Sequence, residues 1–572
     1  MSTDGRKTFM NSINKAEPMI VKWNLHIHET PPSSTKSVSI FYDFPEEALE
    51  FLTTVTDFNT AMEVYTNDES DATDIDKENI LSRAGVLMKI AIQRLLKEFY
   101  HILEAKTLSS SDESSSDLEN EGSDDRRFRT QDIADLRAIA ECMVKLGYRK
   151  ECVKAYKVTR ISIIDEGMYR LGYDKLSKSQ LQKLPWSSVE VRIRKWHKSL
   201  GMVIQTLFSD EKLLSEEIFG FSDSLKESCF AKISKVRASQ FLAFPSLVTS
   251  TTKKSPEKIF LFLDLYDVIT SEYSSEIKSL FFKSPAFAVV KSQVLLTVEK
   301  IGQTIRTMLG NFETAIRKDT CKTLVPGGGV HPLTRYVMNY VVFLADYTQA
   351  ISDIYVDIPV ANYKSSLLLL PDNLLRLVIT PSSPTTCSDK DGENTGASGR
   401  LSWIIMILQS KLDAKSRFYR TPGLSYLFMS NNIHYILQKV RGSSRLHLLL
   451  GEDWEMKTKE KETNYIDSYV NVGWKKVIDA IAPEDPTTAI SRMKEFGKAF
   501  EEVCRCQAEW VFANEKMREM VKVKVEENVV ESYRPFYDEC CKGNNQSDLK
   551  FSPEEVEKNI ADLYSDNVDS ST

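Results

Sequence analysis

The residues from Gly327 to Tyr347, GGGVHPLTRYVMNYVVFLADY, constrain their part of the chain more tightly than any other stretch. Three consecutive glycines make a segment that neither helix nor strand favours, because each loses the most backbone entropy on ordering. His331-Pro332 closes it, and proline suits the first helical position, where its missing N–H is not needed. Beyond it Val337, Tyr340, Val341, Leu344, Tyr347 and Ile351 recur at helical spacing, with Arg335, Asn339 and Asp346 off that stripe. The pattern predicts a buried helix behind a glycine-rich turn. It does not read as a phosphate loop, since no Gly-Lys-Ser/Thr follows the glycines and no strand precedes them.

The same 3.6-residue period runs through most of the 572 residues. Ile80, Val86, Leu87, Ile90, Leu95 and Phe99 fall near one face, and Leu136, Ile139, Ala140, Met143 and Val144 form a later stripe that Gly147 is placed to end. Val189 to Leu200 puts Ile193, Trp196 and Leu200 inward, with Arg192, Arg194, Lys195 and Lys198 around them as a basic face, read as the solvated side of a core helix, with a membrane or partner surface as the other reading. Met517, Val521, Val525 and Val529 stripe a last long helix, expected to run unbroken from about Ser491 to Tyr533 and to stop at Arg534-Pro535. No run of alternating β-branched residues appears. The expected fold is all-α, consecutive antiparallel helical bundles without a β-sheet core.

Residues 1–76 read as a poorly structured N-terminal arm, with WNLHIHET and VSIFYDF as short extended segments around Pro31-Pro32. Residues 77–180 read as an N-terminal bundle containing a disordered acidic loop over 107–129. Its centre, SSSDESSSDLENEGSDD, holds seven carboxylates and seven serines and almost nothing apolar. Ser110, Ser114 and Ser116 each have an acidic residue three positions later, a setting that suits acidophilic kinases; a merely solvating loop is the other reading. Residues 181–564 form the main helical domain with a flexible Ser/Thr/Pro/Gly loop over 380–399, helices resuming at Leu401, and 565–572 read as a disordered tail.

A net charge of −7 excludes general nucleic-acid binding, which favours strongly basic chains, and demands a local patch for any anionic membrane. Nine scattered cysteines and the opening MSTDGRKTFM predict a reducing, cytosolic setting. No apolar run is long enough to span a bilayer. Ser2 argues against N-myristoylation and the ending DSST against prenylation.

Candidate chemistry is sparse. His26, His28 and Glu29 cluster without a third ligand, and Cys504 and Cys506 lie about 200° apart around a helix. His331 reads as a helix-opening residue, and His434, Tyr435, Asn431 and Asn432 as a hydrogen-bonded core or groove. No catalytic residues, cofactor or metal site are expected, and no enzymatic activity.

Five blocks, in order, resemble one family. They are LRAIAECMVKLGYRKECVKAYKVTR (136–160), DEGMYRLG (165–172), LPWSSVEVRIRKW (184–196), SYLFMSNNIHYILQKVRGS (425–443) and LKFSPEEVEKNIADLY (549–564), together with the glycine stretch. The family is the seventy-kilodalton subunit of the exocyst, in its plant form, and the resemblance runs from about Asn79 to Tyr564. It implies an elongated rod of helical bundles that tethers secretory vesicles to the plasma membrane before fusion. The implied partners are other exocyst subunits, Rho-type small GTPases and the phosphatidylinositol 4,5-bisphosphate of an anionic membrane surface, with peripheral recruitment from the cytosol to plasma membrane and vesicles. The alternative is a divergent plant member acting as an interaction scaffold in immune signalling or autophagy-linked traffic, with weak membrane binding.

The resemblance also places a lipid site at the C-terminal tip. There the matching stretch keeps Lys550 but has Asp548 at a second lysine position. Lys542, Arg534, Lys522 and Arg518 are the other candidates, with Glu515, Glu519 and Glu526 interleaved at ion-pair spacing. From Trp510 to Lys550 seven Lys/Arg face eight Asp/Glu, so weak, salt-sensitive binding is expected. Ser552, Pro553 and Glu555 read as a capping box opening the final helix.

Overall fold

A computed structural model describes residues 2–24, 38–67, 75–108, 128–355, 395–482, 489–542 and 550–565. Every regular element among them is helical, in agreement with the all-α expectation. The chain forms two compact units: residues 1–253 with 264–301, and residues 254–263 with 302–572. The division therefore lies near residues 253 and 301 and not near residue 180.

The first unit corrects the reading of residues 1–76 as a poorly structured arm. Ser2–Lys22 and Pro45–Asn67 are helices, and VSIFYDF contains a short helix, Ile40–Asp43, in place of an extended segment. Phe9, Ile13, Ala16 and Ile20 form a buried stripe on the first helix. Phe9 stacks on Tyr65 of the third helix with ring centroids 4.6 Å apart. Local sequence predicted little here because the stabilising partners are distant in the chain. The Ile40 turn is fastened to helix Ile75–Leu108 by a buried ion pair, Arg94–Glu98 at 2.5 Å. Glu98 accepts from the Ser39 hydroxyl (2.6 Å) and the Ile40 N–H (3.2 Å), and Arg94 donates to the Val38 carbonyl (2.7 Å). On that helix Val86 is exposed, while Ala84, Leu87, Met88, Ala91, Leu95 and Phe99 line the buried face.

Helix Thr130–Lys145 ends as expected at Gly147, whose φ of 86° lies in the left-handed region that glycine tolerates. Helix Arg149–Arg170 follows, and its Tyr156 and Arg160 bond the fully buried Glu211 at 2.7 and 2.8 Å. Helix Trp186–Gly201 buries Val189, Ile193, Trp196 and Leu200. Its basic face is solvated and ion-paired, through Arg192 to Asp174 and Arg194 to Glu190.

In the second unit, helix Pro332–Leu344 buries Val337, Tyr340, Val341 and Leu344, and Arg335 and Asn339 face outward. Helix Thr395–Ser416 begins six residues before Leu401, so 395–399 are helical; the rest of the 380–399 loop, 380–394, lies outside the described residues. The last long helix is two helices. Ala489–Gln507 and Glu515–Lys542 are separated by a non-helical link, and the second carries Pro535 within it. Asn514 opens the second helix, its side-chain oxygen accepting the Met517 N–H at 2.8 Å. Met517, Val521, Val525 and Val529 are all buried, as the four-residue spacing predicts, in a core they share with Val556 and Ile560 of helix Pro553–Leu563.

Candidate functional site

The glycine turn is the most tightly determined place in the second unit. Gly327 and Gly328 adopt φ of 64° and 73°, which side chains rarely tolerate. A Cβ on Gly327 would lie 2.6 Å from the Glu509 carbonyl oxygen, and one on Gly328 would lie 2.8 Å from Leu424 Cδ1. The Val511 N–H donates to the Gly327 carbonyl at 2.8 Å, so the link between the last two long helices lies directly on the turn.

Two asparagines of helix Pro422–Arg441, both fully buried, fasten this junction. Asn431 Nδ2 donates to the Gly328 and Val511 carbonyls (2.8 and 2.7 Å), and its oxygen accepts the Ala513 N–H (2.8 Å). Asn432 Oδ1 accepts the His331 N–H (2.9 Å) and the Thr334 hydroxyl (2.7 Å), while its Nδ2 donates to the Phe428 carbonyl (2.7 Å). One turn further on, His434 Nδ1 lies 2.6 Å from Glu462 and its Nε2 lies 2.7 Å from Asn514 Nδ2. Burial raises the Glu462 carboxyl, but the His434 and Lys459 hydrogen bonds outweigh it and hold the group below its ordinary range.

His331 is the N-cap of helix Pro332–Leu344, and its Nδ1 accepts the Leu333 N–H at 3.0 Å. Burial, assisted by the Lys415 charge, pushes its imidazole below the ordinary 6.5. These polar atoms satisfy one another and the backbone, so the junction is a structural joint. The expectations for His331, Asn431, Asn432 and His434 hold. Among the described residues no group of three His, Cys, Asp or Glu side chains is placed to hold a metal ion, and no helix is long and apolar enough to cross a membrane. His26, His28, Ser110, Ser114 and Ser116 lie outside the described residues.

At the C-terminal tip three of the five candidate cations are paired with carboxylates. Lys550 pairs with Glu501 at 2.5 Å, Arg534 with Glu557 at 3.1 Å and Lys522 with Glu519 at 3.6 Å, and Lys524 pairs with Asp467. Lys542 ends its helix with a side chain outside the described residues, and Arg518 is half-buried on the same helix. Only the Lys522–Glu519 pair was foreseeable from helical spacing; the other partners are remote in sequence. The capping box is present: Ser552 Oγ accepts the Glu555 N–H (3.2 Å) and the Ser552 N–H donates to the Glu555 carboxylate (2.8 Å). That carboxylate already occupies the positive end of the helix.

The family model for the C-terminal part of the Exo70 exocyst complex subunit matches residues 194–562, and the model for the N-terminal part of exocyst complex component Exo70 matches residues 12–105. The chain belongs to the Exo70 family of exocyst subunits. The Exo70 likeness thus begins well before Asn79 and takes in the N-terminal helices. Exocyst complex component EXO70B1 of Arabidopsis thaliana is 28% identical over 531 residues, which cover 85% of this chain and 80% of the relative. EXO70A1 of the same plant is 28% identical over 453 residues, covering 75% of this chain and 66% of its own length. Human exocyst complex component 7 is 28% identical over 149 residues, 23% of this chain and 20% of its own. In fold, a solved structure of Exo70 from S. cerevisiae matches with a TM-score of 0.68 at 14% identity, covering 98% of each chain.

Proposed function

We propose that this chain acts as the Exo70 component of an exocyst, holding secretory vesicles at the plasma membrane before fusion. The observation that carries the reading is the family match over residues 194–562, joined by the match over residues 12–105. Two helical units with extensive exposed polar surface suit a protein that works by binding. The partners in this reading are other exocyst subunits, Rho-type small GTPases and a phosphoinositide-bearing membrane to which the chain is recruited peripherally from the cytosol. Lys550, Lys542 and Arg534, with Lys522 and Arg518 behind them, contribute a weak and salt-sensitive share of membrane contact, because competing carboxylates must be displaced first. Quantitative affinity purification with mass spectrometry from native tissue tests the assignment. Stoichiometric recovery of the other exocyst subunits is the expected result; their absence overturns it.

The ion-paired tip favours one alternative, a plant family member serving as an interaction scaffold in immune signalling or autophagy-linked traffic with weak membrane affinity. Recovery of such partners without exocyst subunits in the same purification would select it.

A further inference from the structure

A second surface of the residue 302–572 unit carries the excess positive charge that the tip lacks. Helix Ala288–Lys318 ends in Arg317 and Lys318 and leads into the irregular segment 319–325; helix Thr395–Ser416 leads into 417–421. The two segments adjoin, because the Tyr419 hydroxyl accepts the Val325 N–H (3.1 Å) and donates to its carbonyl (3.0 Å). Lys415 Nζ ties them further, donating to the Cys321 carbonyl (2.5 Å) and pairing with Asp319 (2.7 Å). Over 317–325 and 411–421 there are seven Lys/Arg (317, 318, 322, 411, 415, 417, 420) against two Asp (319, 413).

Cations near helix C-termini commonly do no more than balance the dipole. Here Lys411 and Lys415 already do so, Lys411 donating to the Arg317 carbonyl at 3.0 Å. Lys318, Lys322 and Arg420 are exposed and, among the described residues, no carboxylate pairs with them. Two apolar side chains on the same adjoining segments face solvent, Phe418 at 50% and Leu324 at 38% exposure. Exposed apolar side chains on adjoining segments that also carry unpaired cations suit the headgroup region of an anionic bilayer, the cations meeting phosphates and the apolar groups the acyl boundary.

We propose that the paired segments 317–325 and 417–421 form the principal membrane-contacting surface of this chain, docking on an anionic phospholipid bilayer. The proposal rests on the membrane reading above and relocates its main contact from the C-terminal tip. Vesicle flotation of the full chain tests it, using phosphatidylcholine with and without phosphatidylserine or phosphatidylinositol 4,5-bisphosphate. Wild type should float with the anionic vesicles. At roughly fivefold per cation, Lys318→Glu/Lys322→Glu/Arg420→Glu should lower partitioning about a hundredfold; Arg417 is left in place because Asp413 pairs with it at 2.8 Å. Leu324→Ser/Phe418→Ser should lower it about tenfold with the salt dependence retained, and Arg534→Glu/Lys550→Glu should stay within about threefold of wild type. Circular dichroism and thermal unfolding confirm that each variant is folded. If the tip variant loses binding and the segment variants keep it, this surface is wrong while the membrane reading stands. Wild type that floats with none of the vesicles removes both. Loss of binding to a polyglutamate peptide in the triple Lys318/Lys322/Arg420 variant, with flotation unchanged, would make the surface a peptide site and overturn the lipid assignment.

Discussion

The side-chain oxygen of Asn432 receives the His331 N–H at 2.9 Å, joining residues 101 positions apart at a site closed to water. The same oxygen accepts the Thr334 hydroxyl at 2.7 Å, so one buried side chain positions both the end of the glycine turn and the first turn of the next helix. Asn432→Ala would leave the His331 N–H, the Thr334 hydroxyl and the Phe428 carbonyl without this partner. The expected cost is about 3 kcal/mol of stability, from stranding buried polar groups. Urea denaturation monitored by circular dichroism checks it; a loss within error of zero would mean that water replaces the amide without penalty.

The three glycines should differ. Alanine at Gly327 or Gly328 meets both a positive φ and an atom closer than 3.0 Å, whereas a Cβ on Gly329 has its nearest neighbour at 3.5 Å and φ is −67°. Gly327→Ala and Gly328→Ala should each destabilise by about 2 kcal/mol or more, and Gly329→Ala by well under half of that. Thermal unfolding of the three variants ranks them directly.

The Arg94–Glu98 pair holds the N-terminal helices, and both side chains are 2% exposed. Removing one member strands the other in a buried site. Glu98→Ala is expected to cost about 3–5 kcal/mol and to raise amide hydrogen exchange around Ser39 and Ile40, whose donors it satisfies. Unchanged exchange there would show that the turn is held by its apolar contacts alone.

His331 makes a pH dependence. Its folded-state pKa is depressed by burial, so the unfolded chain binds the proton more readily. Stability is therefore full above the ordinary 6.5 and falls as pH drops below it toward the depressed value. Protonation also removes the Nδ1 acceptor that caps Leu333. His331→Asn keeps a capping acceptor without a titrating group, and its stability should vary less than wild type between pH 7 and pH 5, measured by chemical denaturation. Parallel curves would assign the dependence to other groups.

Phosphorylation of Ser110, Ser114 or Ser116 would add roughly −1.5 to −2 charges each to a segment already rich in carboxylates. Membrane association should weaken while thermal stability is unchanged. Flotation of a triple Ser→Glu variant against wild type on anionic vesicles decides it, equal binding being the adverse result.

What the sequence made legible were features set by local periodicity and local caps. The Met517/Val521/Val525/Val529 stripe, the Gly147 helix end and the Ser552–Glu555 capping box depend on residues within a few positions, and all are found as read. What it hid depends on partners far along the chain. Ser2–Lys22 is helical because Phe9 and its neighbours meet helix Pro45–Asn67. The break after Gln507 follows from Val511 and Ala513 being bonded to Gly327 and Asn431. Lys550 and Arg534 looked like free cations until folding set Glu501 and Glu557 beside them. The charge excess at 317–325 and 411–421 was countable in advance, but nothing local showed that the two segments meet.

The asparagine joint has a consequence for how the chain is made. Asn431 bonds Gly328 behind it and Val511 and Ala513 ahead of it, so its side chain spans 103 residues in one direction and 82 in the other. A ribosome adding about 5–20 residues per second needs roughly 4–16 s to bring Ala513 into being after Asn431. During that interval the glycine turn has no Val511 to cover it and the Asn431 oxygen has no Ala513 N–H to accept. The second unit consolidates only after its last two long helices have begun to emerge, and nascent chains stalled before residue 513 present this seam, open, to chaperones.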